Sequence, residues 1–143
     1  MIKPGYPGFF DYMKTNDSII IVSTAPGNEM AHNAALQSIN KCITLGQAIS
    51  SIFFYGDAIE IAKTNTEFQS LQQQWITLTN TQNIKLAVCI SGALNRHIID
   101  TEEAEIQNVP SNLHPAFLFS SLSVIAEAIS ESTTILEFGN HDA

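Results

Sequence analysis

Cys89 is the residue in this chain best placed to do chemistry. It closes the apolar run Lys85-Leu86-Ala87-Val88-Cys89-Ile90, and Ser91-Gly92-Ala93-Leu94 follow at once. The run reads as a buried strand; Ser91 is a helix N-cap candidate, and Ala93-Leu94 begin a helical pattern. A cysteine at such a strand-to-helix turn sits by the positive end of the helix dipole and by unpaired backbone N–H groups. That setting favours the thiolate, which is the nucleophile. A buried structural cysteine is the competing reading, because free Cys is among the most buried residue types.

The other reactive types do not assemble into a second candidate. Cys42 shares an apolar helical face with Ile39 and Ile43 and reads as core. It lies about 12 residues into its helix, roughly 18 Å from the loop where that helix begins. Cys89 is expected near that loop, and a disulfide needs Cα atoms within about 7 Å, so a Cys42–Cys89 pair is disfavoured. His32, His97, His114 and His141 are scattered without the spacing of a zinc site, so no metal is expected. Arg96 and His97 suit the negative end of the helix after Cys89. Arg96 stands about two turns from the thiol, out of reach unless it folds back. No GxSxG is present. Thr24-Ala25-Pro26-Gly27-Asn28 has one glycine and cannot serve as a GxGxxG or Walker loop. It also lacks the Ser/Thr run that would wrap the phosphate of a flavin mononucleotide. No cofactor is expected.

The elements that must position Cys89 alternate along the chain. Strands are expected at 18–23, 49–55, 85–90 and 133–138, the second ending in Phe53-Phe54-Tyr55-Gly56-Asp57, with the Tyr55 hydroxyl near the site. Helical spacing covers 29–45, with Ala31, Ala35, Ile39, Cys42, Ile43 and Gly46 on one face and Gly46 as C-cap. A short helix fits 58–63, and a stripe of Phe68, Leu71, Trp75, Leu78 and Thr79 marks another. A short helix follows at 92–99. Residues 100–114 read mostly as loop, with a turn of helix at 102–106. A helix is expected at 117–129, with Phe117, Ser121, Val124, Ile125 and Ala128 on one face. Strands separated by helices imply a mainly parallel sheet covered on both faces: an α/β, flavodoxin-like three-layer sandwich in a single domain. In the flavodoxin-like strand order the ligand site lies between the first and third strands, flanked by the 25–29 loop and the Cys89 turn. Residues 1–17, with Pro4, Gly5, Pro7, Gly8 and then Phe9, Phe10 and Tyr12, read as an irregular arm. The domain then covers 18–139 and leaves a tail at 140–143.

The bulk composition bounds the partners. The chain has 143 residues, 45% of them apolar, which suffices for one full core. No apolar run reaches transmembrane length, and no basic-then-apolar leader opens the chain. Two cysteines make no disulfide framework, so a reducing cytoplasm is expected. The net charge is −8, from 14 acidic and 6 basic residues. Such a surface repels phosphate backbones, so direct nucleic-acid binding is not expected.

Several segments resemble the DsrE/TusD-like sulfurtransferases. They are Ala25-Pro26-Gly27, then Ile52-Phe53-Phe54-Tyr55-Gly56-Asp57, then Cys89-Ile90-Ser91-Gly92-Ala93-Leu94-Asn95-Arg96 with Ile98-Ile99-Asp100. Asn112-Leu113, Leu122, Glu127-Ala128 and Ile135-Leu136-Glu137-Phe138 complete the series in order. The resemblance implies a DsrE-like domain without cofactor, in which Cys89 accepts sulfane sulfur as a persulfide and passes it on. It implies assembly with same-fold TusB-like and TusC-like chains, and a small TusE-like acceptor relaying sulfur toward 2-thiolation of the wobble uridine of tRNA. Close DsrE relatives serve sulfur oxidation instead. A third reading makes the chain a structural subunit with an incidental cysteine. In isolation a homo-oligomer can stand in for the mixed complex. The chain departs from the family pattern where Arg96-His97 replaces Arg-Gly, where Ser121-Leu122-Ser123 replaces a Gly-Leu-Gly-like step, and in the arm.

Overall fold

The computed structural model describes residues 18–131 and 134–138; the arm at 1–17, the tail at 140–143 and His141 lie outside them. Five strands form one sheet: β1 (Ser18–Val22), β2 (Ile49–Phe54), β3 (Lys85–Cys89), β4 (Phe117–Ser120) and β5 (Thr134–Phe138). All four neighbouring pairs are parallel, in the order β4-β3-β2-β1-β5. The helices are α1 (Glu29–Thr44), α2 (Gln69–Asn80), α3 (Ile90–Asn95), α4 (Thr101–Gln107) and α5 (Leu122–Glu131), with a 3-10 segment at Gly56–Ala62.

The strand order explains the layers. From β1 to β4 each step moves the same way across the sheet, so right-handed crossovers put their helices on one face. The last crossover reverses direction and sets β5 beside β1, which sends α5 to the opposite face. The result is the expected three-layer α/β sandwich. The position of the site in it is not as expected. β2 stands between β1 and β3, and the reversal falls between β1 and β5. The 25–29 loop and the Cys89 turn are therefore separated by the turn that follows β2.

Alternation along the strands builds the core. Ile20, Val22, Ile52, Phe54, Leu86, Val88 and Phe117 share one face and are all buried. Phe54 stands edge-on to Trp75 of α2 at 5.2 Å and to Phe117 at 5.8 Å between ring centroids. Ile19, Phe53, Ala87 and Cys89 occupy the other face. There a groove of about 710 Å³ lies between the sheet and α5, lined in part by Ser51, Lys85, Leu118, Ser120 and Ile125.

α1 buries Ala35 and Ile39 as expected, but His32 rather than Ala31 completes the stripe. Cys42 and Ile43 pack partly buried against the core. Gly46, at φ +87°, takes the left-handed position just past the helix. Gly46 N–H donates to Ile43 O and Gln47 N–H to Cys42 O, both at 3.0 Å, which satisfies the last carbonyls.

Two expectations fail on local grounds. Residues 117–120 form β4, not the start of a helix: Phe117 and Phe119 alternate with Leu118 and Ser120, and the segment pairs along β3. The i, i+4 match of Phe117 with Ser121 is accidental, since a short apolar run carries no decisive period. Ser121 then starts α5: its hydroxyl accepts from Val124 N–H at 3.2 Å. Residues 101–107, read mostly as loop, form a complete short helix. Asp100 caps it by accepting from Glu103 N–H at 2.9 Å, and Asn108 ends it at φ +55°.

Candidate functional site

Cys89 is the last residue of β3 and itself the N-cap of α3, a position the sequence reading gave to Ser91. It pairs in register with Ser120 of β4. Continuing the β2–β3 register by one step brings Tyr55 level with it on the other side. Tyr55 is 37% exposed, and its ring stacks on Phe53 at 6.3 Å between centroids. Cys89 is only 6% exposed, where an open nucleophile was expected. The reason is that β3 ends one residue earlier than expected and α3 begins at once at Ile90, so its first turn lies over the side chain. α3 has six residues, too few for the full dipole that a longer helix would bring to the sulfur.

Ser91 is the polar group on the sulfur. Its Oγ lies 3.4 Å from Cys89 Sγ, and Ser91 itself is exposed. Gly92 lets this turn pack. A Cβ there would stand 2.5 Å from Ile59 Cδ1 of the 3-10 segment, 3.8 Å from Arg96 Nη1 and 3.9 Å from Cys89 Cβ. Ile59 is fully buried, so it has no room to yield.

Arg96 does fold back. Its Nη1 donates to Gly92 O at 3.3 Å and its Nη2 to Asp57 Oδ1 at 3.1 Å. The ion pair is largely solvated, so it adds little stability, but it ties α3 to the turn after β2. Arg96 thus joins the Cys89 neighbourhood that its place in sequence seemed to deny it.

The Arg96-His97 departure falls at the end of α3, in a position that suits glycine. His97 N–H donates to Leu94 O at 3.0 Å and Ile98 N–H to Ala93 O at 2.8 Å. This pair of bonds needs a left-handed residue between them, and His97 takes φ +59°. Asn112 then clamps the following segment. Its Oδ1 accepts from Ile99 N–H at 2.7 Å, its Nδ2 donates to His97 O at 2.8 Å, and its own carbonyl accepts from Thr64 N–H at 2.8 Å.

The remaining candidates stay apart. Cys42 and Cys89 are both free thiols. His32 is in the core, His97 ends α3, and His114 Nδ1 accepts from Ala116 N–H at 3.0 Å. Among the described residues, no three His, Cys, Asp or Glu side chains gather as a metal site. No helix among them is long and apolar enough to cross a membrane. The sequence points to Cys89 on its own; the backbone path of α3 brings Ser91 to it, and the Arg96 side chain returns to Gly92 and to Asp57 of the turn beside it.

The comparisons with known proteins agree with this architecture. The chain is 32% identical over 126 residues to sulfurtransferase TusD of Serratia proteamaculans, covering 84% of this chain and 96% of that one. It is 30% identical over 126 residues to sulfurtransferase TusD of Cronobacter sakazakii, covering 85% and 98%. The crystal structure of the YchN protein from E. coli superposes with a TM-score of 0.64 at 17% identity, over 85% of this chain and 98% of that one, which shows a shared fold. The DsrE/DsrF-like family model matches residues 17–138, and with these relatives it shows that the chain belongs to that family.

Proposed function

We propose that this chain is a sulfurtransferase subunit that carries sulfane sulfur as a persulfide on Cys89. The observation that supports the reading most is the Cys89 sulfur at the carboxyl end of β3, with the Ser91 hydroxyl 3.4 Å away, in a chain whose relatives are named sulfurtransferases. The step is an exchange without net oxidation. The Cys89 thiolate attacks the outer sulfur of a donor persulfide, the donor's S–S bond breaks, and the donor leaves as a thiolate. An acceptor thiolate then repeats the attack on the Cys89 persulfide. Cys42 and Cys89 are not joined to each other as a disulfide.

The relay runs toward 2-thiolation of the tRNA wobble uridine, in the cytoplasm. The chain works beside same-fold TusB-like and TusC-like subunits and hands its sulfur to a small TusE-like acceptor. It does not hold the tRNA itself, because a net charge of −8 opposes the phosphate backbone. The second reading is a structural subunit in the same complex, favoured by one observation: Cys89 is 6% exposed and belongs to the hydrophobic core.

Incubation with a persulfide donor, followed by intact mass measurement and peptide mapping, separates the two. Added sulfur of 32 Da on the Cys89 peptide (roughly, one sulfur atom from exchange) supports the carrier. Sulfur found mainly on Cys42, or none on either thiol, supports the structural subunit.

A further inference from the structure

The geometry points to Ser91 as a second catalytic residue, whose hydroxyl holds the sulfur of Cys89 and then the persulfide that forms on it. The inference rests on the carrier reading above and deepens it. Cys89 is nearly buried while Ser91 is exposed, so the hydroxyl stands on the solvent side of the sulfur. The Oγ–Sγ distance of 3.4 Å is within hydrogen-bonding reach for sulfur. In the thiol state either group can donate. Once the sulfur is anionic only the hydroxyl can, so the bond becomes charge-assisted and stronger.

The exchange makes the same demand at two moments. Before transfer, the hydroxyl donates to the attacking thiolate and keeps it aligned. As the donor's S–S bond breaks and the new one forms, negative charge moves to the donor's departing sulfur, which leaves as its thiolate. The loaded Cys89 then carries a persulfide that ionises readily and lies about 2 Å further out. The Ser91 hydroxyl is the donor beside that anion on its way to the acceptor. Arg96 and Asp57 act as positioning residues. Their ion pair and the Arg96 bond to Gly92 O hold the six-residue α3, and with it Ser91, against the turn after β2.

The test compares the full chain with Ser91→Ala and Ser91→Thr, using inorganic polysulfide as the sulfur donor and dithiothreitol as the acceptor. Sulfur on Cys89 is followed by quenched intact mass, both for uptake and for persistence before the acceptor is added. Loss of one hydrogen bond to a charged group predicts uptake about tenfold slower in Ser91→Ala, and a loaded state lost several-fold faster. Ser91→Thr, which keeps the hydroxyl, restores both. All three proteins are expected to melt close together, because Ser91 is exposed. Uptake and persistence in Ser91→Ala equal to the unaltered chain overturn the role of Ser91 and leave the carrier reading standing. The same holds if Ser91→Thr behaves like Ser91→Ala, since that makes the effect steric. No sulfur on Cys89 of the unaltered chain overturns the carrier reading, and the role of Ser91 falls with it.

Discussion

The indole N–H of Trp75 donates to Nδ1 of His32 at 3.1 Å. That bond leaves the imidazole proton on Nε2, which donates to Thr24 O at 2.7 Å. One buried side chain thereby joins α2, α1 and the loop after β1. Burial holds the His32 pKa below its ordinary value and outweighs the bond to Thr24, which pulls the other way. The folded chain therefore binds its proton less readily than the unfolded one. The stability this neutral His32 confers is complete above the ordinary imidazole pKa, about 6.5, and falls as the pH drops below it toward the lowered folded value. Urea unfolding at pH 7.5 and pH 5.5 should show the loss. In His32→Gln the chain should be less stable throughout, with a shallower acid limb; an unchanged limb would refute the assignment.

His97→Gly should stabilise the chain. The left-handed position at φ +59° costs a residue with a Cβ about 1 kcal/mol, and glycine removes most of that penalty while keeping both closing bonds of α3. The thermal midpoint should rise by a few degrees, with sulfur uptake unchanged. A lower midpoint would mean that the imidazole contributes more than its backbone costs.

Gly92→Ala should do the opposite. The new methyl would meet Cδ1 of the fully buried Ile59 at 2.5 Å. Overpacking of that kind costs about 1–3 kcal/mol, more than the up to about 1 kcal/mol by which alanine favours a helix. Chemical denaturation should show the net loss, and sulfur uptake should slow, because the displaced turn carries Cys89 and Ser91. Wild-type stability would show that the turn shifts freely.

Cys89→Ser should abolish sulfur uptake and keep the fold. At 6% exposure the new hydroxyl loses some solvation, so a cost of about 1 kcal/mol is expected despite the nearby Ser91. Circular dichroism should be unchanged and the melting point slightly lower. Residual transfer through Cys42 would show as added mass on its own peptide and would contradict the assignment to Cys89.

The isolated chain should not bind tRNA tightly at physiological salt. With 14 acidic and 6 basic residues there is no cation surplus to release counterions. Electrophoretic mobility at micromolar protein is the check. A shift that disappears steeply with added salt would count against this.

Much of this architecture can be read from residue types. β1, β2 and β3 announce themselves as β-branched or apolar runs between turn residues, and α1 and α2 by their apolar stripes. β4 does not, because Phe117-Leu118-Phe119-Ser120 is too short to show a period and leads straight into a helix. His32 escapes a hydrophobic reading of α1, although its partners make it as buried as any isoleucine there. Strand order is a tertiary property: nothing local says that β2 adds beside β1 with β3 beyond it. Around Cys89 the thiol is legible from its place after an apolar run. The return of Arg96 to Gly92 and Asp57 is not, since it depends on a side-chain path across another element. Asn112 is likewise a clamp only once His97, Ile99 and Thr64 have been brought to it.

The reversal of direction before β5 fixes when the sheet can be finished. β2, β3 and β4 can each join as they leave the ribosome, because every one pairs with the strand made just before it. β1 is the first of the five to be made and receives its second neighbour last. Until residues 134–138 have been synthesised, Ile19 and Ile20 lie on an open edge whose backbone groups have no partner on that side. The oldest strand of the sheet thus waits for the youngest, and only the arrival of β5 closes the row of hydrogen bonds along it.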